Sequence, residues 1–139
     1  MAAVVFSLKN LASLIQLNIG FAERFDERHI ESFTLIYMRL IGLKHDIEPL
    51  EIASIMRETD AFALHDRHLF MTLPFTDKYG AVVVKNMLEE MINEPIASIE
   101  VSFPSDGDTP SEMLQSIQAQ SIQRFNEALE FLDPFILKQ

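Results

Sequence analysis

The chain of 139 residues is long enough for one domain with a sizeable core, and its apolar content of 48% is typical of a packed protein. Its net charge of −10 argues against binding to nucleic-acid phosphates, and the lack of cysteine excludes disulfides, thiolate nucleophiles and cysteine-based zinc sites. No apolar run approaches the ~20 residues of a membrane span, and the first residues lack a basic signal-peptide region. We therefore expect a cytoplasmic protein without direct membrane insertion.

The first part of the chain is predicted to contain one strand and three helices. The β-branched run at residues 3–8 indicates a buried strand, and residues 11–17 indicate a short helix followed by a chain reversal at Gly20. Apolar residues recur at helical spacing over residues 26–43, which predicts an amphipathic helix. A proline at a permitted first-turn position favours a further helix within residues 44–57.

The stretch from Arg57 to Pro74 predicts a β-hairpin. Two short apolar runs, Ala61–Leu64 and Leu69–Leu73, are separated by the charged residues 65–68. This break contains neither Gly nor Asn, so the sequence does not indicate the tightest two-residue turns. Proline cannot donate a backbone hydrogen bond, which predicts that the second strand ends at Pro74.

A helix, a strand and a second helix are predicted after the hairpin. Asp77 caps a helix that extends to about Asn93, and alternation over residues 96–103 indicates a half-buried strand. The capping box at residues 109–112 begins a last helix, which Pro134 is expected to end. In the first of these helices, the residues expected to face the core are Tyr79, Val83, Met87, Leu88 and Met91.

Several of these segments resemble the GGDEF family of diguanylate cyclases. Arg57-Glu-Thr-Asp60 matches the family's Arg-x-x-Asp motif, and Leu73-Pro74 matches the end of the strand that follows its signature turn. Residues 66–70 stand at the offset of the Gly-Gly-Asp/Glu-Glu-Phe signature, where only Phe70 agrees. Residues 98–102 resemble the family's Ser-Ile-Gly-Val-Ala strand, and residues 104–108 resemble the turn after it.

The resemblance implies an α+β fold, a GGDEF-like palm whose central, mostly antiparallel sheet is flanked by helices. Residues 1–139 would form one degenerate domain of this kind. The position of the family's metal-binding Asp is occupied by Ser7, and its guanine-reading pair by Ile15 and Gln16. Side chains within residues 65–67 replace the two glycines that admit the triphosphate. We therefore expect no enzyme activity, no metal site and no cofactor.

The two histidines of the predicted turn are the remaining candidates for metal chemistry. His65 and His68 are three residues apart and could contact one ion, but no carboxylate at ligand spacing completes the site. We interpret this segment as a solvated polar turn.

The Arg-x-x-Asp motif is the inhibitory site of the resembled family, which binds cyclic di-GMP. A guanidinium can form paired bonds to guanine or phosphate, and a carboxylate can accept from the guanine N1 and N2 hydrogens. The alternative is an exposed ion pair worth only ~0.3–0.5 kcal/mol. A third family contact comes from the helix after the hairpin, near Met87, where Lys85 is the nearest cation.

These comparisons predict a catalytically inactive receptor for cyclic di-GMP that regulates a protein partner, as in exopolysaccharide secretion systems. Its ligand-binding residues would be Arg57, Asp60 and Lys85. The alternative is a nucleotide-free protein-interaction module with a GGDEF-like fold. Neither hypothesis involves DNA or RNA.

Overall fold

The computed structural model describes residues 4–25 and 31–136. The strands are β1 (Val4–Val5), β2 (Glu31–Arg39), β3 (Ala61–His65), β4 (His68–Pro74) and β5 (Ala97–Pro104). The α-helices are α1 (Leu11–Phe25), α2 (Pro49–Ala53), α3 (Lys78–Ile92), α4 (Pro110–Phe125) and α5 (Asp133–Ile136). Short 3-10 helices span Leu8–Asn10 and Glu130–Leu132.

All five strands belong to one sheet, in the order β1-β3-β4-β2-β5. The four longer strands pair antiparallel, and the two-residue β1 pairs parallel with β3 at one edge. From β2 to β5 the chain follows the order strand, helix, strand, strand, helix, strand, which is that of the split β-α-β motif. The predicted α+β class, with an antiparallel sheet flanked by helices, is confirmed.

Helices cover both faces of this sheet and create two hydrophobic cores. On one face, Phe33, Leu35 and Tyr37 of β2 pack with residues of α1 and α4. On the other face, Ile36 and Met38 of the same strand pack with residues of α2 and α3. Because side chains alternate along a strand, β2 contributes to both cores and is buried on both sides.

The predicted helix over residues 26–43 is wrong where the structure describes it. Residues 31–39 form β2, between β4 and β5 in the sheet, and residues 26–30 lie outside the described part of the chain. A strand buried on both faces is apolar at nearly every position, so it also has apolar residues at helical spacing. Periodicity therefore could not separate the two structures here.

The limits of three other elements differ from expectation. Gly20 lies within α1, which continues to Phe25 and does not reverse at residue 20. The expected early strand is described only as Val4–Val5. The helix predicted within residues 44–57 contains five residues, Pro49–Ala53. Its N-cap is Glu48, so Pro49 is in the first turn as predicted.

The last predicted helix is divided in the structure. It begins after Thr109 as predicted, where the Thr109 hydroxyl accepts a bond from the Glu112 N–H, but the Glu112 carboxylate accepts from the Asp108 N–H and not from that of Thr109. It ends at Phe125, because Asn126 adopts a left-handed conformation with φ of 55°. Pro134 lies inside the short α5 and does not end the long helix.

The hairpin is confirmed, and its turn is tighter than expected. His65 and His68 are paired across the two strands, so only Asp66 and Arg67 form the turn. Asp66 adopts a left-handed conformation with φ of 54°, which aspartate tolerates better than most residues. Pro74 ends β4 as predicted.

The outer face of α3 is apolar, contrary to expectation. Leu88 is buried, whereas Tyr79, Val83, Met87 and Met91 are exposed. The buried residues of this helix are Ala81, Leu88 and Ile92. The sequence thus contains two apolar stripes on one helix, and the stripe predicted to face the core is the less buried one.

No helix in the described part of the chain is long and apolar enough to cross a membrane.

Candidate functional site

The Arg57-x-x-Asp60 motif forms a turn directly before β3. The Asp60 N–H donates to the Arg57 carbonyl at 3.1 Å, which closes the turn. In the opposite direction, the Arg57 N–H donates to Oδ2 of Asp60 at 2.7 Å. The guanidinium adds a bond from Nη2 to Oδ1 at 2.8 Å and longer contacts from Nε to both carboxylate oxygens.

The two members of this ion pair differ in exposure. The Asp60 side chain is 2% exposed, whereas that of Arg57 is 54% exposed. The alternative of an exposed ion pair is therefore wrong for Asp60, whose carboxylate is buried. Its oxygens already accept bonds from the backbone N–H, Nε and Nη2 of Arg57, so the carboxylate holds the arginine in place.

Two further acceptors fix the guanidinium at the end of β4. Nη2 lies 2.9 Å from the Pro74 carbonyl oxygen and 2.8 Å from Oγ1 of Thr76, so its two N–H groups are shared among these two oxygens and Oδ1 of Asp60. The sequence predicted Pro74 as the end of the strand but did not indicate that it is a partner of Arg57. A carbonyl acceptor has no sequence signal, so only the closeness of the two segments in the fold shows this contact.

One edge of the Arg57 guanidinium remains available. Among the described residues, Nη1 has no hydrogen-bond partner, and the side chain is half exposed. A guanidinium nitrogen carries two N–H donors, which suit a phosphate, a carboxylate or a guanine oxygen. The site is thus a single oriented cation on the surface of an acidic protein.

The third candidate residue, Lys85, has a different partner from Arg57 and Asp60. It is on α3, where its Nζ lies 3.5 Å from Oε2 of Glu89. Within the described residues, no hydrogen bond or ion pair joins Lys85 to Arg57 or Asp60.

The hairpin turn is less solvated than predicted at one of its two histidines. His68 is buried, and its Nδ1 lies 2.7 Å from the Tyr37 hydroxyl. His65 is partly exposed, and the Phe131 ring contacts both imidazoles at centroid distances of 4.6 and 4.8 Å. No group of three metal-ligating side chains occurs in the described part of the chain.

Burial and charge alter the pKa values of Tyr37 and His68. Burial lowers the pKa of His68, an effect that the nearby Glu127 carboxylate opposes. Burial raises the pKa of Tyr37, and Glu127 adds to that increase. Tyr37 was not identified from the sequence, because its segment was interpreted as a helix and not as the strand beside β4.

The structure describes three of the positions at which the sequence resemblance would place cyclase chemistry. Ser7 precedes the first 3-10 helix, where its hydroxyl contacts the side chain of Asn10. Ile15 is fully buried in the core under α1. In the turn, Arg67 forms an ion pair with Asp46 at 3.2 Å.

Comparison with models of protein families and with curated proteins gives no match to this chain. The resemblance to the GGDEF family therefore depends on the motifs given above.

Proposed function

We propose that this protein is a non-catalytic regulatory domain that binds cyclic di-GMP through Arg57. The observation that carries the proposal is the oriented guanidinium, half exposed and with Nη1 unbonded among the described residues. A cation that is held in place before binding loses less side-chain entropy when the ligand arrives. Control of exopolysaccharide production through a protein partner is the regulatory role that the family resemblance favours.

The roles of the three candidate residues differ in this proposal. Arg57 contacts a phosphate or guanine oxygen of the dinucleotide. Asp60 acts as a positioning residue, because its buried oxygens are bonded to Arg57. Lys85 contributes a positive charge on α3, where Glu89 partly neutralises it.

Calorimetric titration with cyclic di-GMP tests the proposal. Arg57→Ala should raise the dissociation constant about tenfold to hundredfold, the scale of a hydrogen bond to a charged group. The dissociation constant of Arg57→Lys should lie between those of the wild type and Arg57→Ala, since lysine keeps the charge but lacks the planar guanidinium. Arg67→Ala is the matched control, because Arg67 is also a partly exposed arginine paired with an aspartate.

The proposal fails if wild-type protein at tens of micromolar gives no heat. It also fails if Arg57→Ala and Arg67→Ala bind as tightly as the wild type. Thermal melts of each variant separate lost binding from lost folding.

A second function, that of a protein-interaction module, is favoured by the outer face of α3. Tyr79, Val83, Met87 and Met91 recur every four residues along it and are exposed. Rows of side chains at this spacing form the ridges that pack against another helix, and methionine adapts readily to varied partners. Val83→Glu with Met87→Glu should abolish capture of a specific partner, whereas Ile122→Glu on α4 should not. Capture that is equal in all three proteins would exclude this surface.

A further inference from the structure

An apolar cavity lies between α1 and the β3–β4 hairpin, at the end of the sheet where Arg57 is fixed. Its volume is about 350 Å³, within the range of small-ligand pockets. The helix contributes Leu14, Leu17, Asn18 and Phe21, and the other segments contribute Thr59, Ala61, Thr72, Pro74 and Phe75.

Several lining side chains remain exposed to water despite their apolar character. Leu17 is 52% exposed, Phe21 is 42% exposed and Phe75 is 59% exposed. Phe75 also has a positive φ of 53°, a strained conformation for a bulky residue. Apolar surface left in water at a concave site favours an apolar ligand that would cover it.

The charge at one end of the cavity restricts the class of ligand. Nη2 of Arg57 donates to the carbonyl of Pro74, which lines the cavity, and Thr59 lies two residues from Arg57. Arg57 is not one of the described residues that line the cavity, but its guanidinium is bonded to the lining residue Pro74 and paired with Asp60, and its Nη1 has no partner among the described residues. A cation beside an apolar cavity is complementary to a molecule with an apolar body and an anionic head.

We propose that this cavity binds the apolar chain of an amphipathic anion, with its carboxylate bonded to Arg57. The chain lies against Leu17, Phe21 and Phe75, and the headgroup remains at the solvent-exposed edge of the guanidinium. A purine base fits this cavity poorly, because its hydrogen-bonding edge would face a mostly apolar lining. The proposal is independent of dinucleotide binding, although both ligands would use Arg57.

Titration of the wild-type protein with three ten-carbon probes tests the charge requirement. Decanoate, decan-1-ol and decyltrimethylammonium, each kept below micelle-forming concentrations, share the same chain and differ in the head. Decanoate should bind about tenfold more tightly than the alcohol, because a charge-assisted bond to Arg57 is added. A protein of net charge −10 that bound the chains unspecifically would instead prefer the cation.

Variants test whether the site is this cavity. Ala61→Leu fills part of it, and Leu17→Gln removes apolar lining at a half-exposed position that tolerates polar residues. Each should weaken decanoate binding about fivefold or more, the scale of losing one to two buried methylene contacts. Leu50→Gln is the matched control, since Leu50 is an exposed leucine on α2 outside the lining.

Arg57→Gln tests the contribution of the headgroup to the affinity separately from that of the chain. It should remove the preference for decanoate over decan-1-ol, and a thermal melt of the variant checks that the loss of the bonds to Asp60 and Pro74 has not unfolded the protein. Tighter binding of the cation by the wild type overturns the proposal, as does an equal effect of Leu17→Gln and Leu50→Gln on decanoate. Absence of cyclic di-GMP binding overturns only the proposed receptor function, because decanoate is measured without nucleotide.

Discussion

At the scale of single residues, Asp60 and Arg57 have different roles in the motif. The buried carboxylate accepts bonds from the backbone and side chain of Arg57, and the arginine also bonds the Pro74 carbonyl at the end of β4. The motif thereby ties the turn before β3 to the segment after β4. This geometry gives the pair a structural role whether or not a ligand binds.

Asp60→Asn should lower the free energy of unfolding by about 2–3 kcal/mol, because it removes charge-assisted bonds from a buried site. Urea denaturation at neutral pH measures the change. Asp46→Asn is the control, since Asp46 pairs with Arg67 at an exposed position and such pairs contribute little. Equal, small effects of both substitutions would show that the buried pair is not structural.

Because of His68, the free energy of unfolding should be lower in mild acid than at neutral pH. Burial lowers the pKa of His68 in the folded state, so the unfolded chain binds the proton more tightly. The stability contributed by neutral His68 is present above its ordinary pKa of 6.5 and is lost as the pH falls through the lowered pKa. The loss cannot exceed about 1.4 kcal/mol per pH unit for a single proton.

Urea denaturation between about pH 7.5 and pH 5 measures this slope, which His68→Gln should reduce. A pH dependence that is the same in the wild type and in His68→Gln contradicts the prediction.

The elements show which features can be predicted from the sequence. The hairpin, α3 and the start of α4 follow local signals: charged turn residues, the Asp77 cap and the Thr109 cap. β2 was missed because burial on both faces removes the alternation that marks a strand. The division of α3 into a buried and an exposed stripe depends on its position against the sheet, which local sequence does not contain.

In the candidate site, too, only the features set by local sequence spacing were predictable. The motif spacing identified Arg57 and Asp60 correctly as partners. Their unequal burial depends on how the turn packs, and the bonds to Pro74 and Thr76 depend on the hairpin bringing distant residues together. Leu14, Leu17 and Phe21 do lie at helical spacing, which could have indicated a second apolar stripe on α1.

Two exposed glycines, Gly20 in a helix and Gly42 in a turn, provide a test at the scale of elements. Gly20 lies within α1, and a Cβ added there would meet no atom within 4 Å. Gly20→Ala should therefore raise the free energy of unfolding by about 1 kcal/mol, the difference in helix propensity. Chemical denaturation measures this gain.

Gly42 is the matched control, because a Cβ there also has open space but the residue has a φ of 89°. Gly42→Ala should destabilise the protein by about 1 kcal/mol, since alanine is strained at positive φ. Stabilisation by both substitutions, or by neither, would contradict the assignment of Gly20 to a helix and Gly42 to a turn.

At the scale of the whole molecule, the arrangement of charge and burial opposes cyclase chemistry. Ser7 and the buried Ile15 stand where the resembled family carries metal-binding and guanine-reading residues. β2 lies between β4 and β5 in the sheet and is followed by Leu40 and Ile41, which provide no metal ligand. The turn that would admit the triphosphate carries Asp66, which would repel it.

Purified protein incubated with GTP and Mg²⁺ or Mn²⁺ should therefore produce no cyclic di-GMP. A carboxylate pair is needed to hold the metal, and a backbone turn without side chains is needed to approach the phosphates. Chromatographic detection of the product, with an active diguanylate cyclase assayed in parallel, gives the comparison. Product above a protein-free blank that increases in proportion to protein concentration would show that this chain catalyses the reaction by other residues.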